Sequence, residues 1–267
     1  MKAHPLPHPR APAADPILEA RHLTKRFGGA TAIDGVCLSI AAGEVAGLIG
    51  PNGAGKSTLF DILAGDQRPT GGRVLLGGRD VQREPAHTRL QAGLGRTFQI
   101  PRPFTAMSVV ENVMLGSQNP PGERPWANWL WPARVARSER ALLNRAMELL
   151  DFVALAPLAQ DPAGNLSGGQ RKLLELARLL MAAPAVVLLD EPAAGVNPEL
   201  LELIVGKIAE LNRGGTTFLI VEHDMALVGR LCSRVFVMTS GRLLRDGDPA
   251  EVLRDPRVVE AYLGGGA

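Results

Sequence analysis

The residues able to do chemistry fall into three clusters. Gly50-Pro51-Asn52-Gly53-Ala54-Gly55-Lys56-Ser57-Thr58 satisfies the GxxxxGK[ST] pattern. In that pattern glycines let backbone N–H groups turn toward an anion, the lysine reaches β and γ phosphates and the hydroxyl serves Mg²⁺. Asp190 and Glu191 form an acid pair, suited to holding a divalent cation and polarising an attacking water. Leu166-Ser167-Gly168-Gly169-Gln170 sets a hydroxyl and two glycines before a helical run, a second place where exposed N–H groups and a helix dipole meet an anion. The chemistry these residues share is that of nucleotide phosphates.

Each cluster needs an element to aim it. The apolar run Val45 to Ile49 precedes the glycine loop and the helical run Leu59 to Leu63 follows it, the strand–loop–helix setting that the mechanism requires. Val186 to Leu189 reads as a buried strand delivering Asp190 and Glu191 to its C-terminal end, the edge where α/β folds place ligands. Alone, a Gly-rich turn can arise by chance and two acids after a strand are often a solvated turn; paired, they point to nucleotide hydrolysis. Helical patterns at Gln170 to Met181, Pro198 to Asn212 and Met225 to Leu231 alternate with strands at Ala185 to Leu189, Thr216 to Val221 and Val235 to Met238. That alternation predicts a parallel sheet covered by helices.

The motifs and their order resemble the ATP-binding cassette (ABC) ATPase family, from about Ile17 to the C-terminus. The resemblance implies an α/β fold: a P-loop NTPase core of the ABC ATPase type with an antiparallel β edge and an inserted α-helical subdomain at about 100–183. It implies ATP held by Gly50 to Thr58, with Ser57, Gln99 and Asp190 directed at Mg²⁺ and Glu191 as catalytic base. Gln99 matches the family's Q-loop glutamine, His223 the histidine that contacts the γ-phosphate, and Phe27 the aromatic residue stacked on adenine. Ser167, Gly168, Gly169 and Gln170 match the signature, which in a head-to-tail dimer faces the nucleotide of the other subunit. Taken singly, Gln99 reads as a loop residue, Phe27 as a core aromatic and His223 as a structural histidine; the order of the motifs turns each toward its family role. The loop after the acid pair departs from the family, with Asn197 where Asp is common; before Pro198-Glu199 it reads as a helix N-cap.

Within the family, Gly95 to Phe104, Asp190 to Pro198, Val221 to Met225 and the ending Asp255 to Gly264 look like the ATP-binding subunits of bacterial branched-chain amino acid importers. Importers of urea, amides or aromatic acids share much of this. The implied partners are membrane permease subunits, a second ATPase subunit (self or paralogue) and an extracytoplasmic solute-binding protein, with the chain peripheral on the cytoplasmic face of the inner membrane. A lipid or lipopolysaccharide exporter ATPase shares the motifs. A non-transport ATPase acting on ribosomes or DNA is a third reading, opposed by a single cassette and the absence of a heptad run.

Composition narrows these further. The 267 residues carry 29 Lys and Arg against 27 Asp and Glu, a net charge of +2, too balanced to attract nucleic acid by its field. The longest apolar run, Leu179 to Leu189, is interrupted by Pro184 and falls short of the ~18 residues a spanning helix needs. Met1 to Pro16 holds five prolines and reads as a disordered leader. Cys37 and Cys232 sit among apolar residues without metal-ligand spacing, which predicts reduced thiols in core packing and no zinc. The segment 119–137 is broken by prolines and holds Trp126, Trp129 and Trp131, all three tryptophans. Beside arginines they suit a permease- or membrane-facing surface, or equally a small satellite core.

Overall fold

The computed structural model describes residues 16–97, 102–118 and 132–263, and the chain forms two compact units, 1–86 with 217–267, and 87–216. The leader expected over 1–16 lies outside the described residues except for Pro16, which opens the first strand.

In the first unit, β1 (Pro16–Phe27) and β2 (Ala30–Ala41) form an antiparallel hairpin running from Phe27 opposite Ala30 to Pro16 opposite Ala41. The buried β3 (Val45–Ile49) leads through the glycine loop into α1 (Lys56–Ala64). β4 (Gly71–Leu76) and β5 (Arg79–Asp80) complete an antiparallel sheet of order β2-β1-β4-β5. Leu18, Leu23, Ile33 and Ile40 from this sheet are fully buried.

The chain passes through α2 (Ala86–Gln91) into the second unit. There β6 (Leu94–Arg96) pairs in parallel with β7 (Val186–Asp190), with Arg96 opposite Leu188. Between them in sequence come α3 (Val109–Met114), α4 (Pro132–Phe152) and α5 (Gly168–Leu180), and after them α6 (Pro198–Arg213). Helices α3, α4 and α5 pack on one another through Val109, Val113, Leu149, Leu150, Leu173 and Ala177, all nearly inaccessible. Gly116 permits the close approach, since a Cβ there would stand 2.0 Å from the Arg178 carbonyl oxygen. The helical subdomain expected at about 100–183 falls within this unit, and most of its insertion, residues 119–131 with all three tryptophans, lies outside the described residues.

The first unit resumes with β8 (Thr217–Val221), α7 (Met225–Leu231), β9 (Arg234–Thr239) and β10 (Arg242–Gly247), then the short α8 (Pro249–Val252) and α9 (Pro256–Leu263). β3 lies between β8 and β9, parallel to both, and β10 folds back antiparallel on β9. Every residue of β3 and β8 is buried, which is why they read as near-continuous apolar runs rather than alternating ones. The α/β class expected from the sequence is the class observed, with both parallel and antiparallel pairing.

The cysteines diverge from their shared expectation. Cys232 is buried, but Cys37 is half-buried, with its Sγ accepting from the His22 backbone N–H at 3.2 Å. Along β2 the buried Val36, Leu38 and Ile40 alternate with Cys37 and Ser39, so the pleat turns Cys37 to the face away from the core.

Candidate functional site

The phosphate loop is built where β3 ends. Gly50 cannot be replaced in this geometry, because a Cβ would stand 2.2 Å from the Met238 carbonyl oxygen at the end of the neighbouring β9. Gly55 is the N-cap of α1 with φ +97 and supplies no side-chain cap, so the first-turn amides of α1 face the loop without a capping oxygen. Lys56 is 7% exposed, and its Nζ donates to the carbonyls of Gly50 at 2.6 Å and Pro51 at 3.0 Å. An ammonium tethered to the rim of an amide cradle is a seat for an anion of two or more charges. Asn52, Gly53 and Ser57 are exposed, Pro51 and Thr58 partly so, and Ala54 is buried.

His223 belongs to the same unit. The register sets Leu48 opposite Val221, so Gly50 and His223, each two residues beyond that pair, emerge at one sheet edge. His223 is exposed, its backbone N–H donating to the buried Glu222 carboxylate at 3.1 Å. Asp224, which sequence reasoning passed over, fixes the turn after it by accepting from Ala226 N at 2.8 Å and Leu227 N at 3.1 Å; an Asp before an apolar helical run was the available signal. Phe27 is 48% exposed at the end of β1, with Lys25 Nζ 4.9 Å from its ring centroid. That placement leaves a ring face accessible, unlike a core aromatic.

In the second unit Asp190 ends β7, 7% exposed, with its Oδ2 accepting from Arg96 Nη2 at 3.1 Å. A buried carboxylate needs such a counter-charge or a cation. Glu191 follows in the left-handed region, φ +48, and Lys172 Nζ donates to its carbonyl oxygen at 2.7 Å and to that of Pro192 at 3.2 Å. Arg96 and Lys172 were not singled out from sequence; their roles depend on strand register and on a backbone angle that residue types do not encode.

The signature segment is a capped helix start. Ser167 Oγ accepts from Gln170 N at 3.3 Å while Gln170 Oε1 accepts from Ser167 N at 2.9 Å, a complete capping box on α5. Ser167 and Gly168 are exposed and Gly169 is buried against Leu200 of α6. Asn197 caps α6, its Oδ1 accepting from Leu200 N at 2.9 Å, with Pro198 at the first helical position; this is the role read from Asn-Pro-Glu. Gln99 lies outside the described residues.

Among the described residues no group of three or more His, Cys, Asp or Glu side chains forms a protein-only metal cage. Taken separately, Ser57 in the first unit offers a hydroxyl and Asp190 in the second a carboxylate, each a hard-oxygen donor of the kind Mg²⁺ takes.

Comparison with known proteins carries the assignment further. The family described as "ABC transporter" matches residues 33–194, and the one described as "Branched-chain amino acid ATP-binding cassette transporter" matches 246–267. The probable branched-chain amino acid transport ATP-binding protein LivG of Methanocaldococcus jannaschii is 40% identical, with 93% of this chain and 97% of the relative covered. The high-affinity branched-chain amino acid transport ATP-binding protein BraF of Pseudomonas aeruginosa is also 40% identical, over 93% and 98%. A solved structure of the ADP conformation of an ATP-binding cassette from an ABC transporter superposes with TM-score 0.80 at 35% identity, covering 93% of this chain and 99% of the other.

Proposed function

The chain belongs to the ABC transporter ATP-binding family, and from that premise we propose that it is the ATP-hydrolysing subunit of an importer for branched-chain or related amino acids. The observation that carries this reading is an uncapped, lysine-bearing phosphate loop in a chain whose relatives are named as branched-chain amino acid transport subunits over nearly their whole length. The match at 246–267 to the branched-chain type favours import over lipid or lipopolysaccharide export.

In the mechanism, the α1 amides and Lys56 bind the β and γ phosphates of ATP, Phe27 offers its exposed face to adenine, and Ser57, Asp190 and Gln99 are the groups that hold Mg²⁺. The ion, when bound, offsets phosphate charge. Glu191 accepts a proton from the attacking water as it approaches the γ-phosphate, and His223 contacts that phosphate from the edge it shares with Gly50. The facing subunit's Ser167, Gly168, Gly169 and Gln170 close over the same nucleotide, so hydrolysis requires a head-to-tail pair. Closing and reopening then drives separate permease subunits, to which a solute-binding protein delivers its cargo.

Among the described residues no helix is long and apolar enough to cross a membrane. The relatives' names as transport ATP-binding proteins support a location against a permease on the cytoplasmic face of the membrane.

The test is complementation of a strain lacking this chain. The wild-type chain restores uptake of radiolabelled leucine or valine, whereas Glu191→Gln does not and accumulates as an ATP-bound dimer. Normal turnover by Glu191→Gln removes it as the base, and restored uptake of another solute class with none of leucine or valine overturns the substrate.

A further inference from the structure

Glu191 carries φ +48, a left-handed conformation that a residue with a side chain keeps only where its surroundings hold it. Two donors reach its carbonyl oxygen. The Ala194 N–H, at 3.1 Å, comes from the same loop and moves with it. The Lys172 ammonium, at 2.7 Å, comes from α5 and simultaneously takes the next carbonyl, that of Pro192, at 3.2 Å. One point charge therefore pins two successive peptide groups, the one that leaves Glu191 and the next, and so holds the backbone on the C-terminal side of Glu191, from which its side chain departs.

The anchor behind that charge is stiff. Lys172 is followed by Leu173 and Leu174, both buried, and α5 is locked at its start by the Ser167–Gln170 capping box and by Arg171 Nη2 donating to the Gly164 carbonyl at 3.0 Å. Beside the clamp lies a small, partly open pocket lined by Lys172, Glu175, Asp190 and Pro192.

We propose that Lys172 is a positioning residue for the Glu191 carboxylate. It ties the setting of the base, which serves the subunit's own nucleotide, to α5, the helix whose first residues form the signature for the other. Either site is thereby informed of the other through six residues, the cap Ser167 and the first helical residues Gly168 to Lys172. The inference rests on Glu191 being the base.

Lys172→Met keeps the stem and removes the donor. The expected result is a fall in kcat of about 10- to 100-fold, the scale of a misplaced reacting group, with the Kd for a fluorescent ATP analogue changed less than about twofold. Lys172→Arg, which can still donate to both carbonyls, returns kcat to within about threefold of wild type. In a Glu191→Gln background, Lys172→Met leaves both the residual turnover and the yield of ATP-bound dimer on size exclusion unchanged, because the group it positions is already gone. Unaltered kcat in Lys172→Met overturns the proposal, as does a parallel fall of kcat and nucleotide affinity, the mark of general damage. Should Lys172→Met unfold early in a thermal scan, Lys172→Gln, with one donor retained, must give an intermediate kcat at wild-type affinity or the proposal fails. Full turnover by Glu191→Gln on its own instead removes the base assignment, so the two failures are told apart.

Discussion

Two helices of this chain begin with glycines and a hydroxyl, and they begin in opposite ways. α1 starts at Gly55 with no side chain to satisfy its first amides, and a lysine in its first turn curls back onto the loop carbonyls. α5 starts at Ser167, whose Oγ already accepts from Gln170 N while Gln170 answers to Ser167 N. The first start carries no side-chain cap and has a cation beside it, so it can bind a polyphosphate by itself. The second has spent part of its donor capacity on itself and is stable without a ligand; only its hydroxyl and exposed Gly168 remain to face outward. The difference teaches which of two similar-looking segments is a seat and which is a cover.

That comparison can be broken most directly at Lys56. Lys56→Ala is expected to weaken ATP-analogue binding to the isolated subunit about 100-fold, the loss of charge-assisted bonds to phosphate; a change under about threefold in a fluorescence titration makes the two starts alike. Ser167→Ala should leave that titration unchanged while abolishing steady-state hydrolysis and costing ~1 kcal/mol of stability through the lost cap, seen in urea denaturation. Weakened binding to the isolated subunit by Ser167→Ala sinks the distinction.

The smallest expected effect sharpens the picture in the C-terminal part of the first unit. Arg257, which hydrogen-bonds Asp255, and Arg245 hold its carboxyl at about 2, below its ordinary 3.8. A carboxyl depressed on folding contributes stability that is complete above its unfolded value and disappears as pH falls through the folded one. The urea midpoint of the wild type should therefore fall between pH 4 and pH 2 more steeply than that of Asp255→Asn; parallel curves remove this ion pair from the acid transition.

The strands most legible in sequence share one property, burial on both faces. β3, β7 and β8 are five-residue strands with every position buried and at least four of the five apolar or Gly, and the sequence reading found each within a residue of its observed start and end. α7 begins and ends where its periodicity says, Met225 and Leu231. β1 escaped because its register shifts at Ala20/Leu23, Leu23/Lys25 and Lys25/Arg26 scramble the alternation by which a half-exposed strand is recognised. β10, Arg-Leu-Leu-Arg-Asp-Gly, is half-exposed along most of its length and offers no apolar face to read.

The candidate site divides the same way. The residues proposed to meet the nucleotide sit in motifs of fixed spacing and could be named from sequence. Arg96 and Lys172, which set the acids in place, could not, because their partners are a carboxylate 94 residues away and a carbonyl 19 residues away, distances closed only by strand pairing and helix packing.

The unequal setting of the two cysteines has a practical use. Burial pushes the Cys232 thiol up to about 12, leaving almost no thiolate at neutral pH, whereas Cys37 is half-exposed on β2. Thiol-directed dyes attack through the thiolate and need access, so a maleimide fluorophore at pH 7 attaches at one address per chain. The natural sequence thus comes with a built-in labelling position for spectroscopy, and two labelled subunits would report their approach to each other by energy transfer without a single cysteine being added or removed.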